Sequence, residues 1–347
     1  MARIDVTVRG AGIFGLACAW EMTRRGARVR VIETAGIGAG SSGGLVGALA
    51  PHVPENWNAK KQFQFESLIM AADFWAGVQA ASGIDPGYLR SGRLQPVPDA
   101  AGLERARQRA TGAATLWQGR AEWRVVPADT FGDWAPVSPT GWLIHDTLTA
   151  RLHPRRAGAA LAAAIAGAGG EIVIGEAPES GPVLWATGWQ GLADLGAALG
   201  RNVGAPVKGQ AALLGLDRAD APQYLADSVH AVPHVDGTVA IGSTTEREFD
   251  APDSTDAQID AVVARARAAC PALADAPVIA RWAGLRPRAR SRAPMLGGWP
   301  GRPGHFVANG GFKIGFGMAP KVAEVMAALI LDGRDAIPGG FRVEDNL

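Results

Sequence analysis

The stretch that decides the fold is Ile4–Glu33, which reads IDVTVRGAGIFGLACAWEMTRRGARVRVIE. A short alternating apolar run leads into Gly10-x-Gly12-x-x-Gly15, a helical pattern follows, and a second strand pattern ends in Glu33. Gly10 permits the tight turn from strand to helix, and Gly12 lets the backbone approach a pyrophosphate. Gly15 lets helix and strand pack closely. The stretch therefore predicts a βαβ unit that binds a dinucleotide.

The same stretch indicates how a dinucleotide would lie on it. The diphosphate would sit at the start of the helix, at Ile13 and Phe14, where free N–H groups and the helix dipole favour negative charge. Glu33 ends the second strand, where an acidic side chain can bind ribose hydroxyls. A glycine-rich turn alone is weak evidence for such a site. Here the first strand, the glycines, the helix, the second strand and the terminal acid all indicate a dinucleotide.

Length and composition narrow the class of protein. A chain of 347 residues exceeds the usual size of one core, so two connected domains are expected. Hydrophobic content of 48% and charged content of 19% are typical of a soluble globular protein. A net charge of +1 gives no reason to expect nucleic acid or an anionic membrane as the main partner.

Cysteine usage and the absence of targeting patterns favour a cytoplasmic enzyme. Cys18 and Cys270 form no metal or redox spacing, no metal site is expected, and this usage fits a reducing compartment. The first strand begins almost at once, so no signal peptide is expected. The most apolar long run, 157–170, is too short to span a bilayer.

A second glycine-rich run, residues 36–47, follows Glu33. Glycine loses much entropy on ordering, so this run is neither a stable helix nor a central strand. It can bring many backbone N–H groups against a large planar or phosphorylated ligand. An NAD-binding dehydrogenase would continue from Glu33 into its next βα unit, so the loop favours FAD over NAD.

The remaining patterns predict a fold of class α/β plus α+β: a Rossmann-like FAD-binding domain with an inserted antiparallel-sheet substrate domain. The last part of the chain predicts a strand at Ala280–Leu285, a Pro/Arg-rich loop, a strand at His305–Ala308 and a final helix ending at Leu331. We expect the FAD-binding domain to comprise residues 1–80, 146–202 and 280–347, and the substrate domain 81–145 and 203–279.

Six motifs, in order, carry a resemblance to a known family over essentially the whole chain. They are Gly10-Ala-Gly12-Ile-Phe-Gly15 with Glu33, Gly40-Ser-Ser-Gly43-Gly44 with Ala48-Leu-Ala-Pro51, Ala186-Thr-Gly188, Val207-Lys-Gly209-Gln210, Trp282-Ala-Gly-Leu-Arg286-Pro287 and Asn309-Gly-Gly-Phe-Lys313. Together they resemble the FAD-dependent oxidoreductases of the D-amino-acid oxidase, glycine oxidase and monomeric sarcosine oxidase group.

The resemblance implies FAD bound in extended form, with the adenine half near Glu33 and the flavin between the loops 43–49 and 310–315. Further cofactor contacts implied are Ser41, Ser42, Gly43, Gly44, Leu45, Ala186, Thr187, Gly188, Arg286, Gly310, Gly311, Phe312, Lys313 and Ile314. Neither cysteine matches the position where sarcosine oxidase attaches its flavin, so FAD is expected to be non-covalent.

The chemistry implied by the resemblance is hydride transfer from a carbon next to nitrogen to flavin N5, followed by hydrolysis of the imine. Arg286 matches the arginine that forks onto the substrate carboxylate in related enzymes, a task that suits a planar guanidinium. Lys313 matches the sarcosine oxidase lysine that contacts the same carboxylate. The expected substrate is therefore a small amine with a carboxylate. The alternative interpretation of Arg286 is a surface arginine in a basic loop, and that of Lys313 is a lysine on a solvated loop, neither of which would bind substrate.

Histidines offer weaker candidates for the catalytic site. His52 follows the turn that should pass the flavin, and His230 lies on a strand that lines the substrate pocket in glycine oxidases. The family often has tyrosine at the position of His230, which weakens a prediction of glycine or a simple D-amino acid as substrate. His145 and His153 are expected to be structural.

Two departures from the family leave questions open. Alanine at 240 stands where sarcosine oxidase has its oxygen-activating lysine, so either O2 or a redox carrier can be the electron acceptor. Residues 175–182 are too few for the β-meander that usually contacts adenine, so that contact is not assigned.

Alternatives remain beside the amine-oxidising enzyme. A 2-hydroxy-acid dehydrogenase on the same scaffold needs a base, which His52 or His230 can supply. A tRNA-modifying flavoprotein of the same group predicts a basic surface, against which the balanced charge argues. A flavin-binding structural subunit is the non-enzymatic alternative. The sequence leaves the oligomeric state unknown.

Overall fold

The structure, a computed structural model, describes residues 3–347. The helices are α1 Ile13–Arg24, α2 Ala59–Ser82, α3 Ala100–Leu116, α4 Pro154–Gly167, α5 Gly188–Leu199, α6 Ala257–Ala269 and α7 Gly315–Asp332. The strands are β1 Val6–Arg9, β2 Val29–Glu33, β3 Ala48–Leu49, β4 Arg93–Pro96, β5 Trp123–Pro127, β6 Trp142–Asp146, β7 Ala150–Arg151, β8 Glu171–Ile174, β9 Val183–Trp185, β10 Gly204–Gly215, β11 Gln223–Ala226, β12 Val229–Pro233, β13 Thr238–Gly242, β14 Val278–Ala289, β15 Met295–Gly298 and β16 His305–Asn309.

The first sheet is six-stranded, in the order β15-β16-β9-β1-β2-β8. Strands β16, β9, β1, β2 and β8 run parallel, and only β15 is antiparallel to its neighbour. Parallel strands need helical crossovers that cover the sheet, which explains why the central strand β1 is buried along Val6–Val8. Helices α1, α2, α4 and α7 pack together in the associated core.

The second sheet is eight-stranded, in the order β14-β10-β13-β12-β11-β4-β6-β5. Its pairs are antiparallel except β11 with β4, which run parallel. Helix α6 packs on one face, where Tyr224 and Ile241 belong to a second apolar core. A βαβ layer joined to a mainly antiparallel sheet confirms the predicted fold class.

The predicted Pro/Arg-rich loop after Leu285 is wrong in part. Strand β14 runs on to Ala289, and its Arg286 and Pro287 pair with Val207 and Pro206 of β10. β14 is an edge strand, where a proline that lacks an N–H is tolerated. The strand β15 was not predicted, and it is an edge strand of the first sheet, next to β16.

The predicted division into domains stays a prediction. Strand β14 spans its boundary at residue 280 and pairs with β10 of the larger sheet along most of its length. In the part of the chain that the structure describes, no helix combines the length and the apolar character needed to cross a membrane.

Candidate functional site

A cleft of about 520 Å³ is lined by residues of both sheets and of the loops between them. The six-stranded sheet contributes the glycine turn after β1, the end of β2 and the segment after β9. The larger sheet contributes β14. The lining residues include Arg9, Gly10, Gly12, Ile13, Phe14, Glu33, Ser41, Ser42, Gly44, Val46, Trp185, Ala186, Thr187, Gly188, Gln190, Arg286, Gly311, Phe312 and Lys313.

The glycine turn is held by close backbone contacts. Gly10 has φ of 102°, and a Cβ there would lie 2.5 Å from the Ala186 carbonyl oxygen. A Cβ on Gly15 would lie 2.0 Å from the Gly10 carbonyl oxygen, so Gly15 sets the close packing of α1 on β1. Gly12 lines the cleft, and within 4 Å a Cβ there would meet only the Ser42 hydroxyl. Any side chain at 12 would therefore take up space in the cleft.

Glu33 and Ser42 of the cleft lining are held in position by hydrogen bonds from backbone N–H groups. The Glu33 carboxylate accepts hydrogen bonds from the Ala11 N–H at 2.8 Å and the Ala35 N–H at 3.0 Å. Ser42 Oγ accepts from the Ile13 N–H at 2.9 Å. These bonds hold an acidic group and a hydroxyl at the wall of the cleft in defined positions.

Three helix N-termini open onto the cleft, since the first residues of α1, α5 and α7 line it. None of the three has a hydrogen bond from the side chain of its N-cap residue. The hydroxyl of Thr187, the N-cap of α5, is buried and has no partner among the described residues. Free N–H groups and the dipoles of three helices favour a ligand that carries negative charge and polar acceptors.

Arg286 lies on β14, lines the cleft and is 9% exposed. Its Nη1 donates to the Thr244 carbonyl oxygen at 3.3 Å. Burial lowers the pKa of Arg286 to about 10, against the opposing charge of Glu246. The guanidinium lies over Gly209 of β10, where a Cβ would be 1.6 Å from Nη1. Gly209 is therefore the residue that leaves room for this guanidinium.

A buried polar network supports the segment that carries Thr244. Lys208, 2% exposed, lies with its Nζ 3.5 Å from Glu246 Oε2 and 3.6 Å from Asp256 Oδ2. Gln210 Nε2 donates to Glu246 Oε1 at 3.1 Å, and the Thr244 hydroxyl also donates to Glu246. Glu246 thus links β10 to the segment after β13 that accepts from Arg286.

Lys313 also lines the cleft, and it follows a strained turn. Phe312 has φ of 45°, in the left-handed region, and its N–H donates to the Pro287 carbonyl at 3.0 Å. Lys313 Nζ donates to Thr245 Oγ1 at 2.7 Å. The residue is exposed at the cleft mouth, yet partial desolvation of its ammonium, together with the charge of Arg286, lowers its pKa to about 8.

The two predicted histidines lie outside the cleft lining, in which no described residue is a histidine. The backbone N–H of His52 and its ring Nδ1 both contact Gln64 Oε1, and burial lowers its pKa. His230 pairs with Gly242, so its side chain is on the face that approaches Val46 of the cleft wall. Burial, with the charges of Arg93 and Lys313, lowers the pKa of His230 to about 3.

The structure brings most of the other predicted residues into the cleft. Five of the predicted cofactor residues are not part of its lining: Gly15, Gly43, Leu45, Gly310 and Ile314. Gly15 serves packing, as the sequence predicted for it. A Cβ on Gly310, which has φ of 73°, would lie 2.6 Å from the Ala289 Cβ, so this glycine allows its loop to approach β14.

Several cleft residues were missed by reasoning from the sequence. Arg9 and Trp185 end β1 and β9, and both line the cleft. The Arg9 guanidinium lies 5.6 Å from the centre of the Trp185 ring and also bonds Glu179 at 2.8 Å. A long polar residue and an aromatic at the carboxyl ends of neighbouring parallel strands were the available signal.

Comparison with known proteins gives a match over nearly the whole chain. The family model described as DAO, FAD dependent oxidoreductase, matches residues 5–329. Glycine oxidase of Geobacillus kaustophilus is 27% identical over 364 residues, which cover 94% of this chain and 93% of that protein. Glycine oxidase of Pseudomonas aeruginosa is 34% identical over 177 residues, so this match spans only 48% of either protein.

Solved structures give the same fold. Iminodiacetate oxidase from Chelativorans sp. BNC1 superposes with a TM-score of 0.85 at 22% identity, covering 97% of this chain and 98% of that one. At this identity the likeness concerns the fold alone.

Proposed function

The chain belongs to the family of FAD-dependent oxidoreductases, and from that premise we propose that it oxidises the C–N bond of a small amine that carries a carboxylate. An amino acid or an N-substituted amino acid is the substrate class. The observation that carries the proposal is the pair of cations, Arg286 and Lys313: both line the cleft, and partial desolvation, together with the charge of Arg286, lowers the pKa of Lys313.

Cleft residues that belong to the first sheet and its loops fit FAD. The start of α1 and the Ser42 hydroxyl suit a pyrophosphate, and Glu33 suits ribose hydroxyls. The unpartnered Thr187 hydroxyl and the open N-termini of α5 and α7 offer donors further along the cleft. When bound non-covalently, FAD supplies the acceptor for a hydride from the carbon next to nitrogen.

Arg286 and Lys313 would hold the carboxylate from two sides. A guanidinium binds a carboxylate through two parallel N–H···O bonds, and Arg286 is buried, so these bonds are weakly screened. Lys313 adds a point charge whose bond to Thr245 keeps it at the mouth of the cleft. The carboxylate anchor would thereby orient the C–H bond next to nitrogen.

The same two charges favour the neutral form of the substrate amine. A cation near an ammonium group lowers its pKa, because like charges repel. The acidic residues that line the cleft, Glu33 and Asp194, belong to β2 and α5 and not to the segments that carry Arg286 and Lys313. A neutral amine needs no base before hydride transfer, which agrees with a cleft lining free of histidine among the described residues.

The hydroxy-acid alternative has less support. A hydroxyl proton must be taken by a base as the hydride leaves. His52 is engaged with Gln64, and His230 is not part of the cleft lining. The amine reaction is therefore favoured, because a neutral amine needs no base among the side chains that line the cleft.

Reduction of the flavin under argon tests the proposal. We expect a panel of amino acids and N-substituted amino acids to contain a compound that bleaches the absorbance of the oxidised flavin. The matched control is the same amine without its carboxylate. The proposed anchor is contradicted if the decarboxylated amine bleaches the flavin equally well, and hydroxy acids that bleach it in place of amines would support the alternative.

Admitting air to the reduced protein addresses the electron acceptor. O2 is the acceptor if the absorbance returns quickly in air, and a redox carrier is required if it does not. A cytoplasmic location remains a prediction from the sequence.

A further inference from the structure

A cluster of potential metal ligands lies outside the cofactor cleft. His153 caps the start of α4, His234 directly follows β12, and Asp236 lies in the turn before β13. Each offers one ligand atom, and among the described residues these atoms lie within 4.8 Å of one another. The residues are far apart in the sequence and form no motif, so only the fold brings them together.

His234 is the strongest indication of a ligand. The residue is 0% exposed, and its Nε2 has no hydrogen-bond partner among the described residues. Its ring centre is 4.6 Å from that of His153. A buried nitrogen without a partner is unfavourable, because it has lost its water and gained nothing in exchange. A bound cation would restore the missing interaction.

The spacing of the other two ligands suits a tetrahedral ion. His153 Nε2 lies 3.4 Å from Asp236 Oδ2. Two ligands of a tetrahedral zinc ion, each at about 2.0–2.1 Å, are roughly 3.3–3.4 Å apart. Thr238 Oγ1 donates to Asp236 Oδ1 at 2.7 Å and lies 3.4 Å from His234 Nδ1, as an outer partner of both ligands does.

The charges around the cluster permit a cation. Arg151 and Arg156 lie nearby, but Arg151 is also close to Asp85 and Asp220, and Arg156 Nη2 lies 3.7 Å from Asp85 Oδ2. Histidine binds a metal through an unprotonated ring nitrogen, and Nε2 of His234 has no hydrogen-bond partner among the described residues to compete with an ion. Binding through His153 Nε2 would place the ring proton on Nδ1 and end its 3.4 Å contact with the Arg156 N–H.

We propose that His153, His234 and Asp236 bind a divalent transition-metal ion such as Zn²⁺, with water in the remaining position. Asp236 is exposed, so the ion has a path from solvent. The ion would join α4, which packs against α1 and α2 of the first layer, to the β12–β13 turn of the larger sheet. It would act as a structural link between the two layers, and the proposal is independent of the substrate.

Metal binding by the FAD-loaded protein tests the site. The protein is treated with a chelator, dialysed into metal-free buffer and equilibrated with Zn²⁺, and the bound metal is measured by mass spectrometry. Co²⁺ is the spectroscopic probe, through its ligand-field bands beyond the flavin absorption. The variants are His234→Gln and Asp236→Asn, with Asp253→Asn as a control at an exposed aspartate.

We expect about one Zn²⁺ per chain in the unmodified protein and in Asp253→Asn, and affinity at least about tenfold weaker in both site variants. Zn²⁺ should raise the midpoint temperature of unfolding of the unmodified protein and of Asp253→Asn, but not that of His234→Gln or Asp236→Asn. Binding of less than about a tenth of an equivalent by the unmodified protein would overturn the proposal, and so would equal binding by all four. Should His234→Gln fail to fold, Asp236→Asn decides, because its exposed side chain can be changed without loss of the core.

Discussion

At the scale of single residues, the proposal makes Arg286 the residue that recognises the substrate carboxylate. Arg286→Met keeps much of the volume beside Gly209 and removes the charge and the fork of donors. Hydrogen bonds to charged groups contribute about 1.5–3 kcal/mol each, so we expect KM for the carboxylated amine to rise at least tenfold. The decarboxylated amine should react no worse than before, and an equal loss for both compounds would show that Arg286 acts on the fold or on FAD instead.

Gly209 tests the position of that guanidinium without changing its chemistry. A Cβ at 209 would lie 1.6 Å from Arg286 Nη1 and 2.1 Å from Cζ, so Gly209→Ala must displace the guanidinium. Because this atom is the end of a flexible side chain, we expect Gly209→Ala to fold and bind FAD while its KM rises about as far as in Arg286→Met. Gly77→Ala, with nothing within 4 Å of its added Cβ, is the control. A normal KM in Gly209→Ala would contradict the assigned position.

Lys313 should make carboxylate binding depend on pH. Its pKa of about 8 means that the ammonium is charged below pH 8 and loses its charge above it, whereas Arg286 stays charged until about pH 10. We expect affinity for a short carboxylate without an amine to fall about tenfold from pH 7 to pH 9.5, as one charge-assisted bond is lost. Perturbation of the flavin spectrum measures it. Lys313→Met should bind weakly and equally across this range, and a persisting pH dependence would assign it to another group.

At the scale of elements, local patterns located the elements but not their partners. The alternation in β1, the glycines after it and Glu33 are local signals, and they predicted the βαβ unit correctly. The continuation of β14 through Pro287 was missed, because a proline next to arginines resembles a loop until an edge position and a facing Pro206 are known. Pairing between distant segments is absent from local sequence.

The site divides in the same way. Arg286 was found through its motif, but its setting comes from pairing of β10 with β14 and from the segment after β13. Gly209, Thr244 and Glu246 are brought together from three elements, and no spacing in the sequence indicates this. His52 was a candidate because of its place in the chain, and only its contact with Gln64 indicates a structural role.

The ion pair between β10 and the segment after β13 is expected to hold these elements together. Lys208→Met removes the cation beside the buried Glu246, and breaking a buried pair by removing one partner costs about 3–5 kcal/mol. Lys208→Met/Glu246→Gln removes both charges and keeps an acceptor for Gln210, so it should be less destabilised than Lys208→Met alone. Denaturant unfolding of both variants and of Glu246→Gln closes the cycle, and additive effects would mean that the pair is not coupled.

At the scale of the whole molecule, the cleft is bounded by both sheets, so FAD bound in it as proposed would contact both layers. Glu33 and the glycine turn lie on the six-stranded sheet, while Arg286 lies on the eight-stranded one. This arrangement explains why motifs spread from Gly10 to Lys313 are needed for one site. Of the two proposed carboxylate ligands, Arg286 lies on the larger sheet and Lys313 follows β16 of the first sheet, so binding of FAD between the sheets should fix their separation.

Hydrogen exchange with and without FAD would show whether both layers respond. We expect FAD in excess to slow exchange at least about tenfold at the starts of α1, α5 and α7, since N–H groups of their first turns gain partners and bound ligand stabilises the closed form. The hairpin of β5 and β6, at the far edge of the larger sheet, should not change and serves as the internal control. Protection confined to α1 would mean that only the pyrophosphate end binds as proposed. In that case the start of α7 would not contact FAD, and the role proposed for the neighbouring Lys313 in carboxylate binding would have to be reassigned.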